Sequence, residues 1–376
     1  MKNLDIVFFD AGSGHRSAAV ALQKVLSGLY PHWNVRAINI VDIFDHHKSF
    51  GWVVRKGITQ FNRELVKDKV FDLKGKINLS LLCHDLVYEN GIRAIASFWS
   101  GYHVDAVISV TPMYNPVLYK AARIVNPYVK CITIPVDFDE VKPRYWFTPK
   151  LPQYYINSTD ALMNQALRAG INADFLFRIP GMIVDPAAYE KVSLNKKEIL
   201  ESLDLQPSLP TGFLSFGGQG SNRSMEIAKA LNEDPLPVNM IFLCGKNEKL
   251  FKDLTNFKTV YPKAVFSYLK ETPLYYLHLS DFAIGKPGAM TITEALITKT
   301  PQIALQSTGM RPVQKGNENW IHQSGVGLVA PKVTDIVFCL KKIIKEEETF
   351  KQKIKENVHQ GIFKCADVIS KIVDQP

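Results

Sequence analysis

Short apolar runs rich in β-branched residues alternate with longer stretches of helical periodicity along most of the chain. Strands are predicted at 4–9, 35–40, 105–110, 131–136, 154–157, 212–216, 239–244, 281–284 and 302–305. Between the first two, Leu22, Val25, Leu26 and Leu29 recur at i, i+3, i+4 and i+7, the spacing of one helix face. The strands are apolar throughout, which marks strands covered on both faces, and the helices between them imply a parallel sheet. The alternation then restarts. Around 185–210 the chain turns polar and proline-punctuated, and Gly212-Phe213-Leu214-Ser215-Phe216 opens a second strand, followed directly by Gly217-Gly218-Gln219-Gly220-Ser221. Two α/β domains meeting edge to edge predict a cleft, with ligands beyond the carboxyl ends of the strands. The expected division is 1–190, 205–350, and a C-terminal helix over 351–376 that returns to the first domain.

A chain of 376 residues is long enough for two cores. With 46% hydrophobic and 22% charged residues it is not a disordered chain. No apolar run has the length of a membrane span, and the first run reads as a strand entering a turn, not as a signal peptide. Cys83, Cys131, Cys244, Cys339 and Cys365 form neither a metal spacing nor a disulfide framework, as expected in a reducing cytoplasm.

The net charge of +9 calls for an anionic partner: nucleic acid, membrane or a phosphorylated substrate. Part of the excess is local. Lys48 to Lys76 carries eight basic against three acidic residues, with Arg55, Lys56 and Arg63 interleaved among Phe50, Trp52, Val53, Val54, Ile58 and Phe61. Such a segment suits the surface of an anionic membrane, and it equally suits a core helix with a solvated basic face. No base-reading module is present, so a nucleic-acid partner is not expected.

Three constellations carry candidate chemistry. Gly12-Ser13-Gly14-His15 forms a glycine turn entering a helix, where unpaired N–H groups attract anions. A dinucleotide fingerprint would place glycine where Ser17 stands, and it has no need of a histidine. An imidazole there can take a proton from a reacting hydroxyl, or it can merely cap the helix. Gly217-Gly218-Gln219-Gly220-Ser221 lets backbone amides close on a phosphate, or forms a tight turn and nothing more. In Ser280–Leu296 a strand ends in a Pro-Gly turn before a helix. Glu294 there can accept hydrogen bonds from sugar hydroxyls, or balance the helix dipole from the first turn.

Taken together these motifs resemble family 28 of the glycosyltransferases. The similarity is greatest to monogalactosyldiacylglycerol synthases and processive diacylglycerol glucosyltransferases, with MurG-type enzymes more distant. "GGGHRASA" of that family matches Gly12–Ala19, "CGRNEKL" matches Cys244–Leu250, and "TKPGGLTITEAL" matches Gly285–Leu296. Asp137 through Trp146 and Gly181-Met182-Ile183-Val184 follow "TDL…HPTWF…GLPV". The resemblance covers most of the chain in order.

It implies an α/β protein of the GT-B fold, two Rossmann-like doubly wound domains facing across a cleft. The first would take the acceptor and the second a UDP-sugar, in an inverting reaction with no bound metal or other cofactor. By the same resemblance Gly217, Gly218, Gly220 and Ser221 would hold the diphosphate. Tyr268 and Leu269 would lie in the loop whose backbone reads uracil, and Glu294 would bind ribose. Gln314 and Asn317 would belong to a polar loop that contacts the sugar. His15 would be the base, with Asp137 as helper or rival, and Gly12 and Gly14 would face the acceptor. A lipid acceptor such as diacylglycerol implies a cytoplasmic protein held peripherally on an anionic membrane through the segment that includes Trp52, Arg55, Lys56 and Arg63.

The chain departs from the family at Ser13, at Thr111 and Lys142, which replace histidines, and at Val313, where a polar sugar contact is expected. Acceptor and sugar are therefore open. Two further readings are a nucleotide-sugar 2-epimerase of the same fold and a UDP-binding relative without turnover.

Overall fold

The computed structural model describes residues 1–10, 14–45, 56, 59–60, 63–64, 73, 75–76, 88–139, 145–190, 195–269, 273–307, 309–357 and 359–375. These group into two units. One comprises the described residues of Met1–Phe61, Asp72–Pro186 and Gln360–Pro376, the other those of Asn62–Phe71 and Ala187–His359. The chain thus passes from the first unit to the second at Pro186/Ala187 and returns at His359/Gln360.

The first unit holds a parallel sheet of β1 (Asn3–Phe8), β2 (Asn34–Asn39), β3 (Ala106–Ser109), β4 (Lys130–Thr133), β5 (Tyr154–Asn157) and β6 (Leu176–Arg178), in the order β2-β1-β3-β4-β5-β6. The helix Gly14–Leu29 follows β1 and buries Ala18, Ala19, Leu22, Val25 and Leu26. Leu29, expected to continue that stripe, is 53% exposed, so the buried face ends one turn early. Val7, Val107, Leu118, Tyr119, Ile95 and Trp99 meet in the core beneath the sheet. Within β1 the buried carboxylate of Asp5 accepts two bonds from Arg36, at 2.8 and 2.7 Å, and one from the Trp99 indole at 2.7 Å. Every oxygen of this acid is therefore engaged, as burial of a charge requires. The helix Gly361–Asp374 belongs to this unit, and Lys2 Nζ donates to the carbonyl of Val373 and to Asp374.

The second unit repeats the plan with β7 (Thr211–Ser215), β8 (Asn239–Leu243), β9 (Lys263–Phe266), β10 (Phe282–Gly285), β11 (Gln302–Leu305) and β12 (Gly327–Ala330). All neighbours are parallel, in the order β12-β11-β10-β7-β8-β9. Counted from β7 this is the 3-2-1-4-5-6 order of Rossmann sheets. Leu214, Ile227, Leu231, Phe242, Phe282 and Leu340 fill its core. The helix Glu347–Glu356 stays with this unit and buries Phe350 and Ile354.

The nine predicted strands all form, with ends shifted by up to three residues. The run 131–136 stops at Thr133, because Pro135 cannot extend a ladder. β6, β9 and β12 lie outside the predicted set, and each is an edge strand of three or four residues. A short edge strand has one ladder neighbour and less buried surface, so its pattern is weak.

Candidate functional site

In the first sheet β1 and β3 are neighbours, while the chain leaves β1 toward β2 and leaves β3 toward β4 on the other side. Their carboxyl ends form a switch point, where an open parallel sheet leaves a crevice. His15 is the second residue of the helix that follows β1, and Val110 is the residue that follows β3. Nδ1 of His15 lies 2.8 Å from the carbonyl oxygen of Val110. A carbonyl only accepts, so Nδ1 carries the proton and donates it, which leaves the lone pair on Nε2. Burial pulls the imidazole down to about 4, partly offset by the Val110 bond. The ring is therefore neutral near pH 7, with one nitrogen prepared to accept a proton.

Asp137 follows β4. Burial pushes its carboxyl up to about 7, opposed by a hydrogen bond from Trp146 and reinforced by nearby Asp139. The Trp146 indole donates to Oδ2 at 3.0 Å, and its ring centroid lies 6.2 Å from that of His15. Fully buried Trp146 is thus the piece that borders both titratable groups. The motif spacing included it without giving it a role. Tyr145 meets Trp146 edge-on at 5.9 Å, and its carbonyl accepts from the backbone of Met113 at 2.8 Å. Met113 has φ +69°, unusual for a residue with a side chain, and the 110–115 turn is tied to Tyr145 at this point. Thr111 and Asn115, the first residue of the helix that follows, are buried here, and among the described residues Thr111 Oγ1 and both amide atoms of Asn115 have no hydrogen-bond partner. Gly14 opens the helix and the neighbouring Asp10 and Arg16 form an ion pair. Gly12, Trp52 and Arg55 lie outside the described residues, whereas Lys56 and Arg63 are helical and exposed.

In the second unit β7 and β10 are the neighbours at the switch point, and their following turns carry Gly217–Ser221 and Lys286–Gly288. Gly217 and Gly220 have φ of +85° and +72°. A Cβ on Gly220 would lie 2.1 Å from the carbonyl oxygen of Cys244, and one on Gly245 would lie 2.6 Å from that of Gly218. The backbone of Lys246 also donates to Gly218 at 2.9 Å. The turns after β7 and β8 therefore pack backbone on backbone, and this contact alone demands glycine at 220. Gly218 is different, since the nearest atom to a Cβ there is Cε2 of Tyr268 at 3.8 Å. Ser221 is buried, and its Oγ accepts from the backbone of Arg223 at 3.2 Å, so part of its capacity is taken up at the start of the helix Arg223–Glu233.

Tyr268 is 49% exposed, with the ammonium of Lys246 5.2 Å from its ring centroid. Leu269 follows it in the segment after β9, part-buried. Glu294 is the sixth residue of the helix Ala289–Ile297, beyond the first turn, so dipole balancing does not account for it. Gln314 and Asn317 require a correction. They lie on the helix Arg311–Ser324, not in a loop, because Pro312 starts the helix and Gly325 at φ +67° ends it. Asn317 donates to the carbonyl of Pro287 at 2.8 Å, and Oε1 of buried Gln314 has no hydrogen-bond partner among the described residues. Glu318 was not singled out from the sequence. It is 2% exposed, accepts from Gln306 at 2.9 Å, and burial pushes its carboxyl up against the opposing charge of Arg311. The i+4 spacing from Gln314 was the available signal, since it places both on one helix face. Among the described residues no three His, Cys, Asp or Glu side chains gather as metal ligands would.

No family model matches the chain. It is 25% identical over 347 residues to a protein of Oryza sativa subsp. japonica named probable monogalactosyldiacylglycerol synthase 2, chloroplastic, covering 87% of this chain and 70% of the relative. It is 25% identical over 240 residues to the processive diacylglycerol β-glucosyltransferase of Staphylococcus epidermidis, covering 63% of this chain and 59% of that protein. Among solved structures, Acinetobacter baumannii MurG superposes with a TM-score of 0.60 at 12% identity, over 99% of this chain and all of that one. The UDP-GlcNAc 2-epimerase of Neisseria meningitidis superposes at 0.57 with 14% identity, over 99% of each chain. Fold alone therefore does not separate transfer from epimerisation. The chain is a homologue of proteins named monogalactosyldiacylglycerol synthase and processive diacylglycerol glucosyltransferase, built on the GT-B fold.

Proposed function

We propose that the chain is an inverting, metal-independent glycosyltransferase that moves a hexose from a UDP-sugar to the hydroxyl of a membrane lipid such as diacylglycerol. The observation that carries the reading is the His15 Nδ1 bond to Val110, because it leaves a neutral imidazole with Nε2 free to take a proton. In the reaction the acceptor oxygen bonds to the anomeric carbon and its proton passes to Nε2. The bond from that carbon to the diphosphate oxygen breaks, and its electron pair leaves with UDP. A positioned base contributes about 10²–10⁴-fold to such a step. Asp137, held by Trp146, is assigned to shaping the pocket around the base.

The nucleotide is assigned to the second unit. Gly217, Gly218 and Ser221 border the diphosphate, Tyr268 and Leu269 the uracil, and Glu294 the ribose. Gln314 faces the sugar, and Asn317 holds the Pro287 turn. Backbone amides at a glycine turn and a helix start stabilise a leaving diphosphate without a metal. The basic segment from Lys48 to Lys76, of which Lys56 and Arg63 are described and exposed, is assigned to an anionic membrane surface.

Incubation with lipid extract and a panel of UDP-sugars, with and without EDTA, followed by mass analysis, tests the reading. A new glycolipid and free UDP in the presence of EDTA are expected. Loss of activity with EDTA and recovery with manganese or magnesium would remove the metal-independent step. An altered nucleotide-sugar formed without acceptor would instead identify an epimerase.

A further inference from the structure

The turn after β3 holds more polar capacity than its own fold uses. Val110 accepts the His15 bond, and Thr111, the next residue, is fully buried. The Thr111 backbone is occupied. Its amide donates to Ser109 Oγ at 3.3 Å, and its carbonyl accepts from that hydroxyl at 3.1 Å. Its own Oγ1 has no hydrogen-bond partner among the described residues. Asn115 opens the helix Asn115–Val125 at 1% exposure, and neither its Oδ1 nor its Nδ2 has such a partner. A buried polar atom left without a bond costs stability, and Met113 between the two residues adds the cost of its φ of +69°.

These costs fall within five residues of the carbonyl that fixes the imidazole's tautomer. Unmet groups and strained backbone gathered at one place mark a binding function better than a folding one. An apolar border lies beside them. The half-buried rings of Phe9, just after β1, and Tyr114 sit 5.8 Å apart and tilted. Such rings pack against the C–H groups of a headgroup or an alkyl stem. Thr111 also stands where the resembled family carries a histidine, so this arrangement belongs to the present chain.

Resting on the transferase reading above, we propose that Thr111 and Asn115 hold the acceptor's headgroup and select a hydroxyl that has a second hydroxyl beside it. Hydrogen-bond accounting decides the class. A primary amide both donates and accepts, and so does a threonine hydroxyl. The reacting hydroxyl gives its proton to Nε2 of His15, so its oxygen can accept from Nδ2 of Asn115. Oδ1 then needs a different O–H. A lipid with one hydroxyl, its other oxygens bound in esters, has none left to donate. A vicinal diol satisfies both sides of the amide, and Thr111 Oγ1 bonds to the same pair. A sugar headgroup and a glycerol acylated at one terminal carbon both present such a diol. Both side chains are shielded as the turn stands, and the half-buried Tyr114, between them in the chain, turns aside to admit the headgroup. Neither residue exchanges a proton, and their task is to orient the hydroxyl toward the base.

UDP release and product mass test this on wild type, Thr111→Val, Thr111→Ser and Asn115→Leu, with the UDP-sugar that the panel above selects. The acceptors are octyl glucoside, monooctanoylglycerol acylated at a terminal carbon, and dioctanoylglycerol. UDP affinity and Tm are read on each protein. Wild type should favour at least one diol acceptor over dioctanoylglycerol by about tenfold or more in kcat/KM, and the better diol identifies the headgroup. Thr111→Val and Asn115→Leu should raise KM for that diol by about ten- to a hundredfold, leave dioctanoylglycerol and UDP affinity nearly unchanged, and so erase the preference. Their Tm should hold or rise, because an apolar replacement removes a buried group that had no bond. Thr111→Ser should keep the preference. Equal wild-type action on dioctanoylglycerol and both diols would overturn the proposal, as would an undiminished preference in the variants. A lower Tm with equal loss on all three acceptors would also overturn it, since that marks a structural role. A wild type that transfers from no UDP-sugar to any of the three would overturn the transferase reading together with this one.

Discussion

His15 and Asp137 are both candidates to take the acceptor proton, and their surroundings separate them by pH. Burial holds the imidazole at about 4 and the carboxyl at about 7. A base works only in its deprotonated form. At pH 5 roughly nine-tenths of His15 is available, whereas an Asp137 base would be only about one-hundredth ionised. The two routes therefore differ by nearly two orders of magnitude in kcat/KM at that pH, against the same plateau near pH 8. UDP release measured at low donor concentration from pH 5 to 8.5, with acceptor in detergent micelles, reads this directly. The expected profile is flat down to about pH 5, and its shape should persist in Asp137→Asn. His15→Ala should lose on the order of 10²-fold or more in turnover while binding UDP normally. A wild-type limb falling tenfold per unit below pH 7, and absent from Asp137→Asn, would assign the base to Asp137 and refute the argument from the imidazole's tautomer.

Asp137 also carries a stability prediction. It binds its proton more tightly folded than unfolded, so stability falls as pH rises from about 4 to about 7, by roughly 4 kcal/mol in full. Asp137→Asn should therefore raise the Tm of the first unit at pH 8 and leave it unchanged at pH 3, as followed by calorimetry. Glu294→Ala should raise KM for the UDP-sugar far more than it lowers kcat, because a contact remote from the reacting carbon stabilises ground and transition states alike. A fall in kcat at constant KM would contradict that. Neutral replacement of Arg55, Lys56 and Arg63 should release the protein from acidic vesicles, each charge contributing about 1 kcal/mol or less at low salt. Equal sedimentation of the mutant would leave the segment as a solvated helix face.

The repeated strand–turn–helix pattern was enough to read two doubly wound sheets from the chain alone, because buried parallel strands are apolar on both faces and need no distant partner to be recognised. Gly14-His15, Gly217–Ser221 and Gly285–Leu296 were legible as entries to helices, since glycine-rich turns carry their backbone signal locally. The edge strands β6, β9 and β12 were not, having too little buried surface to shape their composition. Nor did the sequence distinguish a helical from a looped setting for Gln314 and Asn317. What tertiary structure alone decided is electrostatic and geometric. The proton on His15 Nδ1 depends on a carbonyl 95 residues away in the chain. The raised carboxyl of Asp137 depends on burial beside Trp146. Gly220 is required by the Cys244 backbone whether or not a phosphate binds. Motif spacing specifies which groups are present, but desolvation and tautomer are properties of the neighbours that folding brings, and those neighbours lie far apart along the chain.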